Sequence, residues 1–274
     1  MSAAAPSRAI SAGGYSRPLP GFVECGDVFV IELLEREPAG ALLVGVVDGL
    51  GHGNEASVAA HAAARTVLGH RELPLDEIVR HCDQQLHPTR GAALALLRLE
   101  ADGRGEFCGI GNIDVQSLAG KPAGLFCLPG IVGHSLRAVR TMPFTMQSGD
   151  IYCLHTDGVS GRGNLRGCLP GAPRTVARCI VDAWGRPHDD ATAVVLGYGA
   201  GAKLPADAAA GGEKRRLPRP AKPATGEAAA GEQRMPRPAT AKPRPASSES
   251  HDLRQAEPRP APVSASRETD RFFC

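Results

Sequence analysis

Residues 41–53, ALLVGVVDGLGHG, join an apolar run to a glycine-rich turn through one carboxylate, Asp48. The run is short and rich in Val and Leu, a pattern that indicates a buried β-strand. A second run of this kind, VFVIELL at residues 28–34, directly follows Asp27. Both carboxylates therefore stand at the end of a predicted strand.

The spacing of the two runs predicts their register. If residues 28–34 and 41–47 form a hairpin in which Leu34 pairs with Ala41, then Asp27 faces Asp48 across the open end. Two carboxylates about 4 Å apart repel by roughly 4 kcal/mol at an effective dielectric of ~20. Such a pair needs a cation or a proton.

Two further carboxylates occupy similar positions. The run IYCLHT leads into Asp157, and the run ATAVVL follows Asp189 and Asp190. A sheet can gather carboxylates from several strand ends, and a cluster of oxygen ligands suits a hard divalent ion such as magnesium or manganese. The alternative is that each Asp-Gly marks a surface turn, its usual meaning. Four such sites, one of them with an unusually glycine-rich turn, favour the cluster.

The composition of the chain changes near residue 200. Residues 201–274 hold 11 of the 23 prolines, with 14 Lys or Arg against 9 Asp or Glu, whereas residues 1–200 hold 17 basic and 20 acidic residues. We expect a flexible N terminus at 1–13, a folded domain at 14–200 and a disordered, basic, Pro/Ala-rich tail at 201–274. The tail suits weak binding to an acidic partner or a membrane surface, although a solvated extension is the simpler interpretation. No base-reading motif accompanies its charges, so nucleic acid is an unlikely ligand.

Cysteine spacing and hydropathy indicate the compartment. The eight cysteines show no C-x-x-C spacing, and several lie within apolar runs, so a reducing compartment is the simplest inference. The first twenty residues lack a continuous apolar segment, and no run approaches the ~18 apolar residues of a membrane span. We expect a soluble, cytoplasmic protein.

The remaining patterns predict the other elements. An alanine-rich helix should run from Asn54 to Leu68, a second from about Pro74 to Leu86, and a third from about Arg174 to Trp184. Hairpin-like groups of strands with helices outside them indicate an α+β layered sandwich rather than a doubly wound parallel sheet. The further strands are predicted at 92–99, 105–110, 113–118 and 124–128.

Six short motifs follow one another along roughly residues 14–198. They are SRPLPG at 16–21, CGD at 25–27, VVDGLGHG at 46–53, GNI at 111–113, SGDIYCLHTDGV at 148–159 and HDDATAVV at 188–195. Each motif is weak alone, but the set is specific in its order. This set resembles the SpoIIE-type bacterial branch of the metal-dependent 2C protein phosphatases, and the short, single-domain form is most similar to the RsbX-type enzymes.

The resemblance implies a four-layer α-β-β-α sandwich, in which two antiparallel sheets pack face to face with helices on both outer surfaces. It also implies hydrolysis of phosphoserine or phosphothreonine by a water activated by two Mn²⁺ or Mg²⁺ ions. By that resemblance Asp48 bridges the ions, and the Gly49 carbonyl contacts one of them. Asp27 completes the second ion, Asp157 and Asp189 complete the first, and Asp190 is the less suitable ligand of its pair. Asp48 and Asp157 are then the catalytic residues.

Two features depart from the larger enzymes of the family. Those enzymes carry a candidate general acid, His, two residues after the bridging Asp, where this chain has Leu50; His52 is a candidate for that role or else a loop residue. No clear equivalent of their phosphate-binding arginine is present. Arg17 and Arg90 are candidates on position alone, and the simpler interpretation of each is a structural or merely exposed residue.

Two histidines lie close in sequence to the predicted ligands. His155 and His188 flank Asp157 and Asp189, and a zinc site would draw on such side chains. We instead expect His155 to be a core residue or to support a ligand from behind.

By the same resemblance, the substrate is a phosphorylated STAS-domain regulator in a stress or sigma-factor signalling module. One alternative is a catalytically weak 2C-like scaffold that binds such a regulator. Intact acids at all four positions count against it. A second alternative is a tethering protein whose main function lies in the basic tail.

Overall fold

A computed structural model describes residues 9–35 and 40–199. The elements follow one another as strands and helices of ordinary length, with a short 3-10 helix at Leu165–Cys168. They are β1 Ala9–Arg17, β2 Asp27–Leu34, β3 Ala41–Gly49, α1 Asn54–Gly69, α2 Leu75–Leu86, β4 Ala92–Glu100, β5 Arg104–Ile110, β6 Asp114–Ala119, β7 Met142–Thr145, β8 Ile151–His155, α3 Pro173–Trp184 and β9 Ala191–Gly199.

The strands form two antiparallel sheets. One sheet has the order β1-β9-β8-β6 and the other the order β2-β3-β4-β5-β7. One apolar core lies between the sheets, a second lies between the five-stranded sheet and α1 with α2, and a third lies between the four-stranded sheet and α3. This confirms the α+β, four-layer sandwich.

The predicted hairpin register is confirmed. Leu34 pairs with Ala41, and Asp27 pairs with Asp48. Along β3 the even-numbered side chains Leu42, Val44 and Val46 belong to the core between the sheets, whereas Leu43 and Val47 face the helices. Because side chains alternate along a strand, the Asp48 carboxylate points toward the space between the two sheets.

Strand β1 was missed by the sequence patterns. Residues 9–13, assigned there to a flexible N terminus, pair with residues 195–199 of β9 and belong to the sheet. The strand contains Gly13 and Gly14, which strand preferences disfavour. A Cβ on Gly13 would lie 2.5 Å from the Arg174 backbone nitrogen, and one on Gly14 would lie 2.7 Å from the Phe29 ring. Close packing on both faces therefore explains the weak strand signal.

The predicted strand at 124–128 is wrong. Those residues form no ladder beyond an isolated parallel bridge between Leu128 and Ile110. The adjoining edge of β5 is instead covered by β7, which contains Pro143 and was not predicted. Proline is tolerated in an edge strand, because one side of that strand has no partner strand to accept a backbone N–H.

Two of the eight cysteines, Cys168 and Cys179, form a disulfide bond that the sequence analysis did not predict. The 3-10 helix and α3 bring these residues together from eleven positions apart, a spacing without a recognisable motif. Cys82, Cys108 and Cys153 are buried thiols. The tail at 201–274 lies outside the described residues. Among the residues that the structure describes, no helix is long and apolar enough to cross a membrane.

Candidate active site

The four predicted carboxylates lie at strand ends of the two sheets, close enough for their charges to act on one another. Asp27 and Asp48 end the β2–β3 hairpin, Asp157 follows β8, and Asp189 precedes β9. Burial raises the pKa of Asp48 to about 9, and the charges of Asp27, Asp157 and Asp189 contribute to that rise. Each sheet therefore contributes two of the four carboxylates, and their charges act on one another.

Asp27 is held by a hydrogen bond that crosses from one sheet to the other. Its side chain is 2% exposed, and burial is the main cause that raises its pKa to about 7. The Thr156 hydroxyl donates to Asp27 Oδ2 at 2.8 Å and accepts the Thr192 backbone N–H at 3.1 Å. One carboxylate oxygen is thus engaged by the protein, which fixes the direction of the other.

Asp157 has a partner of its own. Asn112 Nδ2 donates to Asp157 Oδ2 at 2.7 Å. Asp189 is partly buried, and burial followed by the charge of Asp157 raises its pKa. The motif at 111–113 was noted in the sequence, but Asn112 was not assigned a role there, because only the folded chain brings it next to a residue 45 positions away.

Asp190 lies closer to the cluster than the sequence indicated. It is buried, and its Oδ1 accepts the Leu19 backbone N–H at 2.8 Å. Its Oδ2 has no hydrogen-bond partner among the described residues, and it lies 2.7 Å from the position of a Cβ on Gly26. A fifth carboxylate, that of Asp190, therefore has one oxygen directed toward the segment that carries Asp27, and its charge helps to raise the pKa of Asp27.

The glycine-rich turn brings backbone close to the carboxylates. The Gly49 N–H donates to the Gly26 carbonyl at 3.0 Å, and a Cβ at Gly49 would collide with the Ala56 carbonyl oxygen. Gly51 and Gly53 have φ angles of 92° and 72°, in the left-handed region that glycine adopts readily. Only backbone fits where α1 begins against the end of β3.

The two candidate arginines have different surroundings. Arg17 donates from Nη2 to the Arg186 carbonyl at 2.7 Å, so it supports the loop before β9. Arg90 lies over the glycine-rich turn, with Nη1 2.8 Å from the position of a Cβ on Gly51. Its Nη2 forms an ion pair with Glu55 Oε2.

The candidate histidines lie outside the carboxylate cluster. His52 is exposed, and its ring meets the Phe22 ring edge-on at 5.2 Å between centroids. His188 is exposed as well. His155 is buried, its Nδ1 lies 3.0 Å from the Thr156 carbonyl, and burial lowers its pKa.

The donor set fits hard divalent ions. Within residues 9–35 and 40–199, no three His, Cys, Asp or Glu side chains close around one point as a formed cage. The carboxylates nevertheless lie close enough to repel one another and are partly desolvated, so a positive counter-charge would stabilise their ionised forms. A set made of carboxylate and backbone oxygens suits Mg²⁺ or Mn²⁺, whereas zinc prefers nitrogen and sulfur ligands.

Comparison with known proteins gives the family. No family model matches the chain. Phosphoserine phosphatase RsbX of Bacillus subtilis (strain 168) is 28% identical over 141 residues, which cover 50% of this chain and 68% of RsbX. A chain solved in work on the bacterial stressosome, a modular system adapted to control secondary messenger signalling, is 30% identical with a TM-score of 0.63, over 68% of this chain and 98% of that one. The chain belongs to the RsbX-like, SpoIIE-type branch of the 2C protein phosphatases.

A third relative supports the fold of this family. Crystalline RsbX in complex with magnesium is 22% identical, with a TM-score of 0.59 over 69% of this chain and 95% of that one. The two sheets and the outer helices described above are thus the architecture of the 2C phosphatases.

Proposed function

We propose that this 2C-family chain is a Mn²⁺- or Mg²⁺-dependent protein serine/threonine phosphatase. The observation that supports the proposal is that the charges of Asp27, Asp157 and Asp189, which come from two different sheets, all act on Asp48. Relatives support it, because RsbX is a phosphoserine phosphatase and has been crystallised with magnesium. A further 2C relative, 17% identical, was solved with two manganese ions.

In this proposal Asp48 would be the ligand common to two ions, with the Gly49 carbonyl as a further ligand. Asp27 would be a ligand of one ion, and Asp157 and Asp189 would be ligands of the other. When bound, two such ions supply positive charge for the phosphoryl oxygens and lower the pKa of water. The chain itself orients the ligands, because Thr156 fixes Asp27 and Asn112 fixes Asp157. The glycines at 49, 51 and 53 keep side chains away from the reacting phosphate.

We further propose that the substrate is a phosphorylated STAS-domain regulator and that the protein acts in the cytoplasm. Similarity to RsbX and to a chain of stressosome work supports a regulatory phosphoprotein as the partner. The measurement is kcat/KM on a phosphorylated STAS domain against an unrelated phosphopeptide. Equal values for the two would remove the STAS domain as the preferred substrate.

One assay tests the activity. Hydrolysis of p-nitrophenyl phosphate and of a phosphoprotein is measured with manganese, with chelator, and for Asp48→Asn. We expect activity with manganese alone, and a loss in Asp48→Asn of about 10³-fold or more, since ligand and charge are removed together. Asp182→Asn on the outer surface of α3 changes the net charge equally and should retain activity.

The same assay separates the enzyme from the scaffold. Full turnover in chelator, or in Asp48→Asn, would contradict the two-ion mechanism. Bound manganese without hydrolysis of any phosphoprotein would instead support a scaffold that only binds its regulator.

A further inference from the structure

Two consecutive apolar side chains are exposed in the loop at residues 18–26, the rim loop, which leads from β1 to Asp27. Among residues 9–35 and 40–199, the large apolar side chains that remain exposed are Phe22, Val23, Leu33, Val58 and Phe126. Val23 is 93% exposed, more than any of the others. Exposed apolar side chains scattered singly are ordinary, but an adjacent pair beside a cluster of carboxylates calls for a reason.

The backbone of the rim loop is held in one conformation. The Leu19 N–H donates to Asp190 Oδ1 at 2.8 Å, and the Phe22 N–H donates to the Leu19 carbonyl at 3.0 Å. The second bond closes a turn with Pro20 and Gly21 at its centre, and Gly21 has a φ of 95°, as a type II turn requires. The loop therefore presents its apolar side chains without first having to become ordered.

The rim loop is also fixed against the glycine-rich turn. The Phe22 ring lies 3.0 Å from the position that a Cβ on Gly53 would take, and it meets the His52 ring edge-on. At the other anchor of the loop, Asp190 is the carboxylate whose charge helps to raise the pKa of Asp27. The rim loop thus borders the carboxylate cluster between the start of β9 and the start of α1.

Val23 lies close to the carboxylates on the scale of a protein interface. It stands four residues before Asp27, so the two Cα atoms are at most about 14 Å apart. A specific interface covers roughly 800 Å² on each partner, which is a disc of about 16 Å radius when centred on the phosphate. A folded protein that brings a phosphorylated residue to the cluster therefore covers Val23, whereas a small phosphate ester needs no contact with it.

Two other occupants suit the rim loop less well. Glu24 is exposed directly after Val23, and the carboxylates beyond it add negative charge, which disfavours a surface of anionic lipid. Two side chains also bury too little area for a stable contact between two copies of the chain. A transient complex with a substrate has no such requirement, because the phosphate group contributes to binding as well.

We propose that the rim loop is a docking surface for the folded phosphoprotein substrate, in which Val23 and Phe22 pack against an apolar patch beside the phosphorylated residue. This inference rests on the proposed phosphatase activity. Burial of a side chain the size of Val favours binding by about tenfold or more. Since the turn is already formed, little of that gain is lost to ordering the loop. The rim loop thereby gives a preference for proteins over small phosphate esters.

The test compares kcat/KM on a phosphorylated STAS domain with kcat/KM on p-nitrophenyl phosphate, for the manganese-loaded full chain. We expect the ratio of the two values to fall about tenfold in Val23→Ser, and to stay within about twofold in Val23→Ile, which keeps an apolar contact. Because Val23 is almost fully exposed, neither change disturbs the packing of the domain.

Leu33→Ser is the matched control. Leu33 is 54% exposed and lies on the same strand as Asp27, but at the other end, about 20 Å away. The ratio for Leu33→Ser should equal that of the unaltered chain.

Four results would overturn the proposal. The first is an unchanged ratio in Val23→Ser, and the second is an equal fall in Leu33→Ser. The third is a dimer, detected by sedimentation, that Val23→Ser converts to a monomer, since the loop would then bind a second copy of the chain. The fourth is binding to vesicles of anionic lipid that Val23→Ser abolishes.

Failure of the proposed function gives a different pattern. Turnover of p-nitrophenyl phosphate with an unchanged ratio in Val23→Ser would keep the phosphatase and remove the docking surface. If neither substrate is turned over, calorimetry of the manganese-loaded chain with the phosphorylated STAS domain measures binding directly. Affinity about tenfold weaker in Val23→Ser would then contradict the phosphatase and keep the docking surface, whereas equal affinities, or no binding by the unaltered chain, would overturn both.

Discussion

Replacing Asp48 by Asn should stabilise the protein when metal is absent, and the gain should grow with pH. Burial and three neighbouring carboxylates raise the pKa of Asp48 from 3.8 to about 9. Between these two values the unfolded chain is ionised at this residue while the folded chain keeps its proton. The folded state therefore binds more protons, and its stability falls as the pH rises.

The size of this stability difference follows from the thermodynamic linkage between proton binding and folding. The Asp48 contribution to the free energy of unfolding should fall by about 1.4 kcal/mol per pH unit across this window. The amide that Asp48→Asn introduces does not titrate, so the difference between this variant and the unaltered chain should grow by that amount per unit from about pH 5 to about pH 8. The pKa of Asp27 is raised to about 7, so its ionisation lowers the free energy of unfolding of both proteins as the pH rises. This contribution of Asp27 largely cancels when the two proteins are compared.

Urea unfolding in the presence of chelator at four pH values measures the difference. Asp182→Asn, an equal change of charge on the outer surface of α3, should give a difference that does not grow with pH. A constant difference for Asp48→Asn across the range would refute a buried, protonated Asp48. If Asp48 binds the ions as proposed, the order should reverse with manganese, because bound ions then stabilise only the chain that keeps the Asp48 carboxylate.

Three other changes test separate parts of the structure. Thr156→Val should lower manganese affinity, measured by calorimetry, roughly tenfold, because Asp27 loses the hydrogen-bond donor that orients it. Thr156→Ser keeps a hydroxyl and should retain most of the affinity. Equal manganese affinities in the two variants would contradict this role of Thr156. Gly49→Ala should cost about 3 kcal/mol of stability in urea, since its Cβ collides with the start of α1, and an unchanged midpoint would argue against that close approach. Cys168→Ser, or reduction of the bond to Cys179, should lower the free energy of unfolding by about 3 kcal/mol, as expected for a loop of this length. Manganese affinity should stay the same. A loss of manganese affinity would instead connect the disulfide to the carboxylate site.

Local patterns were enough for the hairpin that carries half of the site. The apolar runs before and after residues 35–40 are both clear. In an antiparallel hairpin, pairing Leu34 with Ala41 fixes every other residue pair, including Asp27 with Asp48. Helix α2 was equally clear, because Leu75, Ile78, Val79 and Leu86 are buried on one face.

Long-range contacts account for what the sequence did not reveal. The Thr156 hydroxyl reaches Asp27 across 129 residues, and no local spacing encodes that contact. Strand β1 was hidden because tight packing on both of its faces requires Gly13 and Gly14, which weaken the local strand signal. Asp190 was judged from its order in a pair of acids, but its burial and its contact with Leu19 arise only when β1 and β9 pair.

The pairing of the first strand with the last has a consequence for synthesis of the protein on the ribosome. Residues 27–110 can form the five-stranded sheet except for its edge strand β7 early in translation, whereas β1 must wait for residues 191–199 to emerge. Asp27 and Asp48 are then in place long before Asp157 and Asp189 join them. A nascent chain that stops short of β9 therefore has half of the carboxylates, an unpaired first strand and an exposed apolar sheet face, which makes it a substrate for chaperones rather than an early phosphatase.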